Sequence, residues 1–484
     1  MSVAIEKNSD EFLYQQVVTL IQDMKKEDTL LAGDKLPSLR SLSQKLKISI
    51  PTVKQAYLEL ERLDVITARP KSGYYLNAQI LHLEKPKKGR PATKPMNVGC
   101  RSLIEQVYEA VHAPDSLPLG IANPTYAYPS DKTLGRIMRR VIAQSGSKAN
   151  TYGAVTGYLP LKRQLAYRHL DYGLHVEPES VLITNGAQEA LAIAIQCVAK
   201  YGDVIAVESP TYFGLLELIE SLGMLALEIP VCSEDGICLD DLQQALKEHP
   251  IKACMFASAI NNPLGSFMSD DKRKKMVEIL EEAEIPLIED DVYGDLYFGN
   301  SRPTPAQAWS KKGLVITCGS FSKTAAPSYR VGWLINERFQ DKARLLKRAI
   351  SCASSLLNQW TLAEFARSGE YDRNISQLRK VLRCNKERMA AQMSKEFPLG
   401  TRISDPQGGA VFWVEFPVGV DTTELFHQLV THNVSIAPGS IFAAGNKFRR
   451  CARISFGLPW EKKVEDAIAL IGKLSKAQLA KVTS

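Results

Sequence analysis

Apolar residues in the first 80 positions recur with the spacing of helices and then with that of a hairpin. The spacing predicts three helices, within 13–24, over 38–46 and after Ser49. Ser49 suits a helix N-cap, and Pro51 falls in the first turn, where its missing N–H removes no helical hydrogen bond. Two strand-forming runs, 65–69 and 74–76, flank a Pro-Lys-Ser-Gly turn. This stretch is therefore predicted to fold as three helices and a hairpin.

From about residue 101 onward, short apolar runs alternate with helical patterns. The runs predict buried strands at 181–184, 204–207, 253–257, 287–288 and 314–318. The helical patterns between them include 188–200, 215–222 and 270–283. Such alternation is typical of an α/β fold with a mostly parallel sheet. Because ligands of these sheets bind beyond the carboxyl ends of the strands, we expect the site among residues that follow each run.

A basic, proline-rich stretch separates these two parts of the chain. Lys85 to Pro95 contains five cations and no acidic residue, whereas the whole chain carries 60 Lys and Arg against 53 Asp and Glu, a net charge of +7. Much of the excess positive charge is thus local, which indicates a basic linker rather than a generally basic surface.

Composition excludes several classes of protein. With 45% hydrophobic and 23% charged residues in 484, the chain is neither disordered nor fibrous. Long apolar runs and a signal pattern are missing, so we expect neither a membrane span nor secretion. The nine cysteines are scattered and the seven histidines lack ligand spacing, which favours reduced thiols in the cytoplasm and no metal site.

Two short helices joined by a turn, the second with a polar outer face, predict a helix-turn-helix that binds DNA. The candidate contacts are residues able to bond phosphates or base edges, namely Arg40, Ser49, Thr52, Lys54, Gln55, Arg69 and Lys71, with Gly73 allowing close backbone approach. A helical protein-interaction module is the alternative interpretation.

Several motifs then resemble the winged helix of the GntR regulators. They are Leu-Pro-Ser-Leu-Arg ending at Arg40, Ser-x-x-Thr-Val from Ser49, Ala-Tyr-x-x-Leu ending at Leu60 and Arg-Pro-x-Ser-Gly-Tyr ending at Tyr74. The resemblance implies DNA binding. The family often has Arg after the Ser that opens the recognition helix, whereas this chain has Ile50, so a direct Arg-to-guanine contact is not expected there. The linker is similar to an AT-hook core, with Arg90 in Gly-Arg-Pro suited to a narrow minor groove. A solvated basic linker is the favoured alternative, because three-residue cores recur by chance.

Lys323 is the strongest candidate for chemistry because of its surroundings. It follows the predicted strand 314–318, with Ser320 and Ser322 just before it and Arg330 seven residues after it. A lysine amine can form a Schiff base with an aldehyde cofactor, while hydroxyls and a guanidinium can hold its phosphate. A lone lysine in such a position is otherwise a solvated cation.

The other parts of such a site occur upstream in a workable order. Thr184 to Gln188 follows a strand and opens a helix, a common phosphate-binding arrangement. Tyr212 could stack on a pyridine ring, and Asn262 and Tyr293 could bond its phenolic oxygen. Asp290, at a strand end, could keep the ring nitrogen protonated.

The set resembles the fold-type-I aminotransferases of classes I and II, which use pyridoxal 5′-phosphate. The resemblance implies that Lys323 forms the Schiff base, that Asp290 pairs with the ring nitrogen and that Arg453 clamps a substrate carboxylate. By position alone, Arg453 would be a surface charge. The phosphate would be held by Gly186, Ala187, Gln188, Ser320, Ser322 and Arg330. Tyr152 would reach the phosphate bound by a partner subunit, which implies a homodimer.

The whole chain resembles the MocR subfamily of GntR regulators. We therefore expect a winged helix-turn-helix domain over 1–79, a linker over 80–112 and a pyridoxal phosphate-binding domain over 113–484. Its large part would span about 150–340 and its small part 113–150 and 341–484. The expected function is a cytoplasmic transcription regulator, nucleoid-associated when bound to its operator, with the cofactor or an amino compound as effector. The alternatives are a working aminotransferase with a DNA-binding appendage and an interaction module that has lost the cofactor.

Overall fold

The computed structural model describes residues 12–26, 30, 34–63, 65–69, 72–76, 84–89, 91, 94–96, 101–124, 131–445 and 447–483. They belong to two compact units. One contains Met1–Leu83, Arg383–Phe397 and Trp460–Gly472, and the other contains the remainder of the chain. Each unit is described by itself.

The N-terminal part of the first unit consists of three helices and a hairpin, as predicted. Its elements are α1 Leu13–Lys26, α2 Leu39–Leu46, α3 Ile50–Arg62, β1 Ile66–Arg69 and β2 Gly73–Leu76. Ser38 and Ser49 cap α2 and α3, each accepting a backbone hydrogen bond at 3.2 Å. Val53 and Tyr57 are fully buried along the inner face of α3. The helical spacing predicts a buried stripe of Val53, Ala56, Tyr57, Leu60 and Leu63, and all of it is buried except Leu63, which is 44% exposed at the C-cap of the helix.

The hairpin is fastened to the helices by its inner residues. Tyr57 of α3 packs edge-on against Tyr74 of β2, with ring centroids 4.9 Å apart, and its hydroxyl donates to the carbonyl of Pro37 at 2.9 Å. The amide of Leu36 donates to the carbonyl of Tyr74 at 2.9 Å. These contacts hold the hairpin as a wing beside α2 and α3.

The second unit is built on an eight-stranded sheet with helices on both faces. The helices that follow the wing are α4 Arg101–His112, α5 Asp131–Ser145, α6 Leu159–Asp171, α7 Ala187–Val198, α8 Phe213–Ser221, α9 Leu239–Glu248, α10 Asp270–Glu282, α11 Gln340–Ile350, α12 Leu356–Arg367, α13 Glu370–Glu396, α14 Thr422–Val430 and α15 Lys462–Thr483. Of these, α13 from Arg383 onward and α15 up to Gly472 belong to the first unit. The strands from the third onward are β3 Leu117–Pro118, β4 Val181–Thr184, β5 Val204–Ser209, β6 Leu225–Cys232, β7 Gly236–Ile237, β8 Ile251–Phe256, β9 Leu287–Asp290, β10 Val315–Ser320, β11 Gly332–Ile335, β12 Arg402–Ile403, β13 Val411–Glu415, β14 Val434–Ser435, β15 Ala437–Pro438 and β16 Cys451–Ser455.

The strand order in the large sheet is β4-β11-β10-β9-β8-β5-β6-β7. Only β11 and β7 run antiparallel to their neighbours, so the sheet is mostly parallel as predicted. All five predicted strands are present, and β4 matches its prediction residue for residue. One apolar cluster joins the sheet to α7 and α8, and a second joins its other face to α9 and α10. Because both faces are buried, the strands appear in the sequence as continuous apolar runs.

A smaller antiparallel sheet supports one side of the site. Its order is β12-β13-β16-β15, while β3 pairs with β14 in a separate parallel pair. Arg453 lies in the middle of β16, opposite Trp413 of β13. A backbone position flanked by two strands fixes this residue more firmly than a loop would.

Described residues of the basic linker pack within the second unit. Lys85 pairs with Glu234 at 2.6 Å, and Lys88 pairs with Asp241 at 2.7 Å. Met96 forms an antiparallel bridge with Ala226, at the edge of β6. These linker residues are therefore docked and partly neutralised rather than freely solvated.

Within the described part of the chain, no helix is long and apolar enough to cross a membrane. Nor do the described residues place three or more His, Cys, Asp or Glu side chains together where they could hold a metal ion.

Candidate functional site

A cleft of about 320 Å³ opens where the parallel strands end. Residues that follow β8, β9 and β10 meet there with the start of α7 and with β16. Its lining includes Ala187, Gln188, Tyr212, Asn262, Asp290, Tyr293, Ser320, Ser322, Lys323, Arg330 and Arg453. The expectation that a site would follow the apolar runs is thus met by the geometry, because parallel strands bring their carboxyl ends to one edge.

Lys323 lies at the floor of this cleft. After β10, a single 3-10 turn over Phe321–Lys323 carries the lysine inward. Burial lowers the pKa of Lys323 to about 8, and the positive charges of Arg453 and Arg330 act in the same direction against the opposing Asp290. A substantial fraction of free amine therefore exists near neutral pH, as a nucleophile toward an aldehyde requires.

Asp290 is the last residue of β9 and is held beside Cys318 of β10. Burial raises the pKa of Asp290 to about 7, while the amide of Val292, which donates at 3.3 Å, favours the charged form. A cation placed against this carboxyl would favour its ionised form, so the position suits a protonated ring nitrogen. The adjacent Asp291 instead pairs with Arg302, which distinguishes the two acids of the Asp-Asp motif.

A cradle for an anion forms beside Lys323. Gly186 is the N-cap of α7 with φ +84°, and a Cβ at this position would collide with the guanidinium of Arg330. Arg330 donates to the carbonyl of Asn185 at 3.1 Å, and the hydroxyls of Ser320 and Ser322 lie 2.8 Å apart. Helix N–H groups, two hydroxyls and a guanidinium are the donors that bind phosphate. The residues present therefore fit the phosphate of the predicted cofactor.

The three side chains predicted to contact the cofactor ring, Tyr212, Asn262 and Tyr293, come from three different loops. Tyr212 caps α8 and lines the cleft. Tyr293 donates from its hydroxyl to the carbonyl of Ala122 at 2.7 Å, and Asn262 accepts from Nη1 of Arg453 at 3.0 Å. All three predicted ring contacts thus face one space.

The interpretation of Arg453 as a surface charge, which its sequence position alone would give, is wrong. The residue is 3% exposed, because Phe442 and Phe213 cover its guanidinium at 4.8 and 5.6 Å from their ring centroids. Its Nη2 donates to the carbonyl of Gly120 at 2.6 Å, whereas Nε has no hydrogen-bond partner among the described residues. A buried guanidinium with an unused donor is suited to a carboxylate.

Tyr152 does not line the cleft of its own chain. It is 91% exposed, in the loop that follows the 3-10 helix Gly146–Asn150. Conversely, Tyr108 and His112 of α4 line the cleft although the sequence analysis did not single them out. They belong to an amphipathic helix and no motif marks them, so the pattern gave no signal for their role.

The predicted DNA contacts lie on and around α3. Lys54 and Gln55 project from its outer face, and Arg40 is exposed at the start of α2. The hydroxyls of Ser49 and Thr52 lie 2.7 Å apart, so part of their hydrogen-bonding capacity is used in the helix cap. Gly73 has φ +113°, in the region that favours glycine. The side chain of Arg69 and all of Lys71 and Arg90 lie outside the described residues.

A mostly parallel sheet with a lysine, an aspartate and a phosphate cradle at one edge defines a fold-type-I aminotransferase domain, here joined to a winged helix-turn-helix. The chain matches the aminotransferase class I and II family over residues 114–471 and the gntR family of bacterial regulatory proteins over residues 13–76.

Some similar proteins match nearly the whole chain, and others match only its larger, aminotransferase-like part. The uncharacterized HTH-type transcriptional regulator YjiR of Escherichia coli strain K12 is 34% identical over 460 residues, which cover 95% of this chain and 98% of YjiR. The HTH-type transcriptional regulator NorG of Staphylococcus aureus strain USA300 is 25% identical over 90% of this chain and 98% of NorG. The crystal structure of LysN, an alpha-aminoadipate aminotransferase from Thermus thermophilus complexed with N-(5′-phosphopyridoxyl)-L-leucine, superposes with a TM-score of 0.71 at 26% identity. The superposition covers 78% of this chain and 97% of LysN.

The chain therefore belongs to the GntR family of bacterial regulatory proteins, in the group that carries a class I and II aminotransferase-like domain, the MocR-type architecture. Homologous aminotransferases of this fold depend on pyridoxal phosphate, and the cleft fits that cofactor.

Proposed function

We propose that this protein regulates transcription by binding DNA through its winged helix and pyridoxal phosphate through its cleft, with the cofactor or an amino compound as effector. The observation that carries the proposal is the convergence of Lys323, Asp290 and the phosphate cradle in one cleft. The same chain presents an exposed polar face on α3, and DNA binding through that face is the activity that the effector would control.

Each predicted site residue in the cleft has a role in this proposal. When bound, pyridoxal phosphate supplies an aldehyde and an electron-withdrawing ring. Lys323 provides the free amine that anchors the aldehyde, and Asp290 provides the negative charge for the ring nitrogen. Asn262 and Tyr293 orient the phenolic oxygen, and Tyr212 covers the ring face. Arg453 binds the carboxylate of an incoming amino compound through its paired N–H groups.

The cradle holds the cofactor phosphate, and its donors are Gly186, Ala187, Gln188, Ser320, Ser322 and Arg330. A homodimer completes the site, because Tyr152 is exposed in its own chain and would reach the phosphate of the partner. Two winged helices in such a dimer suit an operator with two-fold symmetry in the cytoplasm, where the protein would be associated with the nucleoid.

On the DNA side, Lys54 and Gln55 enter the major groove while Arg40, Ser49 and Thr52 bind the backbone. The wing adds Arg69, Lys71 and Gly73, and the linker adds Arg90. Lys54 carries a charge that binds any sequence, whereas Gln55 can read adenine by two hydrogen bonds. Gln55→Ala should therefore weaken specific binding by roughly 1–3 kcal/mol and relax the preference at one base pair. Arg62→Ala at the far end of α3, where Arg62 already pairs with Glu59, is the matched control and should leave DNA affinity unchanged.

The sensing step can be tested on DNA fragments recovered by genome-wide mapping of the bound protein. Affinity for such a fragment should be compared among the cofactor-free form, the cofactor-bound form and the cofactor-bound form with amino acids. A coupling of roughly 1–3 kcal/mol would change affinity about 5–150-fold. Lys323→Ala should remove the visible absorption of the lysine-bound cofactor and the response together. Equal affinity and equal DNA bending in all three forms would refute effector control.

Amino-group transfer is a second candidate function, because the cleft assembles a nucleophilic lysine, a ring-nitrogen partner and a carboxylate clamp. The test is the formation of a keto acid from an amino acid by the cofactor-loaded protein, with a second keto acid as acceptor. Catalysis would be established by two results. The amino acid should first give one equivalent of its keto acid per cofactor, and the second keto acid should then be converted to its amino acid while the original cofactor absorption returns. Binding of the amino acid with no keto acid formed would leave the regulator function.

A further inference from the structure

One wall of the cleft comes from α4, whose residues play no part in the proposed cofactor contacts. Tyr108 and His112 lie one turn apart on this helix and both line the cavity. α4 itself is anchored, because Ile104, Val107 and Ala110 are buried and the helix packs against β3 and β14. Because the helix is anchored, the position of Tyr108 relative to the cleft is fixed by the fold.

Tyr108 is held against the cleft by several contacts. Its hydroxyl is hydrogen-bonded to Tyr212, and its ring meets Phe213 edge-on at a centroid distance of 5.7 Å. His112 lies within hydrogen-bonding distance of the backbone carbonyl of Tyr108, at 2.8 Å from Nδ1. Even so, Tyr108 remains 44% exposed and lines the cleft, so it is not sealed off from a ligand by these contacts.

The position of Tyr108 relative to Arg453 determines which part of a bound ligand Tyr108 would contact. Phe213 contacts both residues, at 5.7 Å from the Tyr108 ring and 5.6 Å from the Arg453 guanidinium. Consider an amino acid with its carboxylate bound by Arg453 and its amine directed to Lys323. Its side chain must then contact another part of the cleft. The exposed ring of Tyr108 and the neighbouring Ile121 offer that side chain an aromatic and apolar wall.

We infer that Tyr108 is a specificity-determining residue, which contacts the side chain of the bound amino acid and selects α-amino acids with aromatic or extended apolar side chains. This inference rests on the proposed function, because it concerns the ligand of the same cleft. An aromatic side chain can pack on the Tyr108 ring with a gain beyond simple burial of area. Alanine has no aromatic or extended apolar side chain to pack on the ring and would gain little from it.

The inference is tested by titrating the full-length, cofactor-loaded protein with L-phenylalanine, L-leucine, L-alanine and L-glutamate, and following the cofactor absorption. The wild type should bind phenylalanine most tightly of the four. Tyr108→Ala should weaken phenylalanine binding roughly tenfold, equivalent to about 1.4 kcal/mol, and change alanine binding less than about twofold on the same scale. The readout is therefore a ratio of affinities, which a merely structural role of Tyr108 would not move.

Two further variants complete the test. Tyr108→Phe keeps the ring and removes the bond to Tyr212, so it should retain the preference for phenylalanine even if Tyr108→Ala folds poorly. Glu109→Ala, at the next and exposed position of α4, is the control and should behave like the wild type. If phenylalanine has no advantage in the wild type, or if Tyr108→Phe loses that advantage, the inference is wrong. A protein that develops no visible absorption with pyridoxal phosphate would instead overturn the proposed function, so the two failures are distinguishable.

Discussion

Arg453 donates a hydrogen bond from Nη1 to Oδ1 of Asn262 at 3.0 Å. This bond joins a strand of the small sheet to the loop that follows β8 in the large sheet. The group that would bind the ligand carboxylate and the group that would bind the cofactor oxygen therefore position each other. Loss of the Asn262 amide should therefore be felt at both subsites, because it also removes the partner of Arg453.

Substitutions at these two residues should have separable effects on binding. Arg453→Lys removes the planar pair of donors and should weaken amino acid binding at least roughly tenfold while the cofactor still binds. Asn262→Ala should weaken both cofactor and amino acid binding, because it also leaves Arg453 without its partner. Absorption titrations give both constants. Arg449→Lys, which exchanges an exposed arginine, serves as control, and an equal loss in that variant would contradict the assignment.

Cofactor capture should depend on pH through Lys323. The pKa of this amine is lowered to about 8 by burial and by the nearby Arg453 and Arg330. Below that value the cation dominates and cannot attack an aldehyde, so the rate should rise with pH and level off above about 8. An ordinary lysine would give a rate that still rises toward about pH 10. Stopped-flow absorption at a series of pH values measures this, and a rate that keeps rising to about pH 10 would show that the amine is not desolvated.

A side chain at Gly186 should displace the Arg330 guanidinium from the cradle. A Cβ there would strike Arg330, whereas Gly202 has nearly the same backbone angle, φ +82° against +84°, with open space around it. Gly186→Ala should therefore weaken pyridoxal phosphate binding at least roughly tenfold. Gly202→Ala also places an alanine at a positive φ, without the collision and away from the cradle, and should bind the cofactor normally. Similar losses in both variants would mean that strain, and not the cradle, is responsible.

A buried ion pair stabilises the start of α7. Lys347 is fully buried, with Nζ 2.7 Å from Glu189 and within 2.9 Å of Ser351 and Ser354. Lys347→Met leaves the Glu189 carboxylate without its charged partner and should lower the free energy of unfolding by about 3 kcal/mol or more. Arg348→Met changes the exposed neighbour on the same helix and should cost little. Thermal or urea unfolding of both variants provides the comparison, and a stable Lys347→Met protein would contradict this account.

Much of the large sheet and its site could be predicted because the relevant signals are local in the sequence. Strands buried on both faces leave continuous apolar runs, and the parallel arrangement brings the residues after β4, β9 and β10 to one edge. Asp290, Lys323 and the segment from Gly186 to Gln188 were identified in this way. Ser49, as a predicted N-cap, identified the start of α3 in the N-terminal part for the same local reason.

Other features depend on contacts between distant segments and left no local signal. The burial of Arg453 results from Phe442 and Phe213, which lie 11 and 240 positions away. Tyr108 is one aromatic residue on an amphipathic helix, and its place in the cleft depends on how α4 packs on β3 and β14. The acidic partners of Lys85 and Lys88 are about 150 residues downstream, so a linker whose composition predicts solvation proves to be docked at these residues.

The docking of Lys85 and Lys88 changes how positive charge in the linker should be counted. Each of these lysines already has a carboxylate of the same chain as its counterion. Neither lysine is therefore expected to neutralise a DNA phosphate and release a bound cation from the DNA when the protein binds. The steepness with which affinity falls as potassium chloride is added should then reflect phosphates contacted by the winged helix and by the remaining linker cations. Glu234→Gln and Asp241→Asn would release the two lysines and make that dependence steeper.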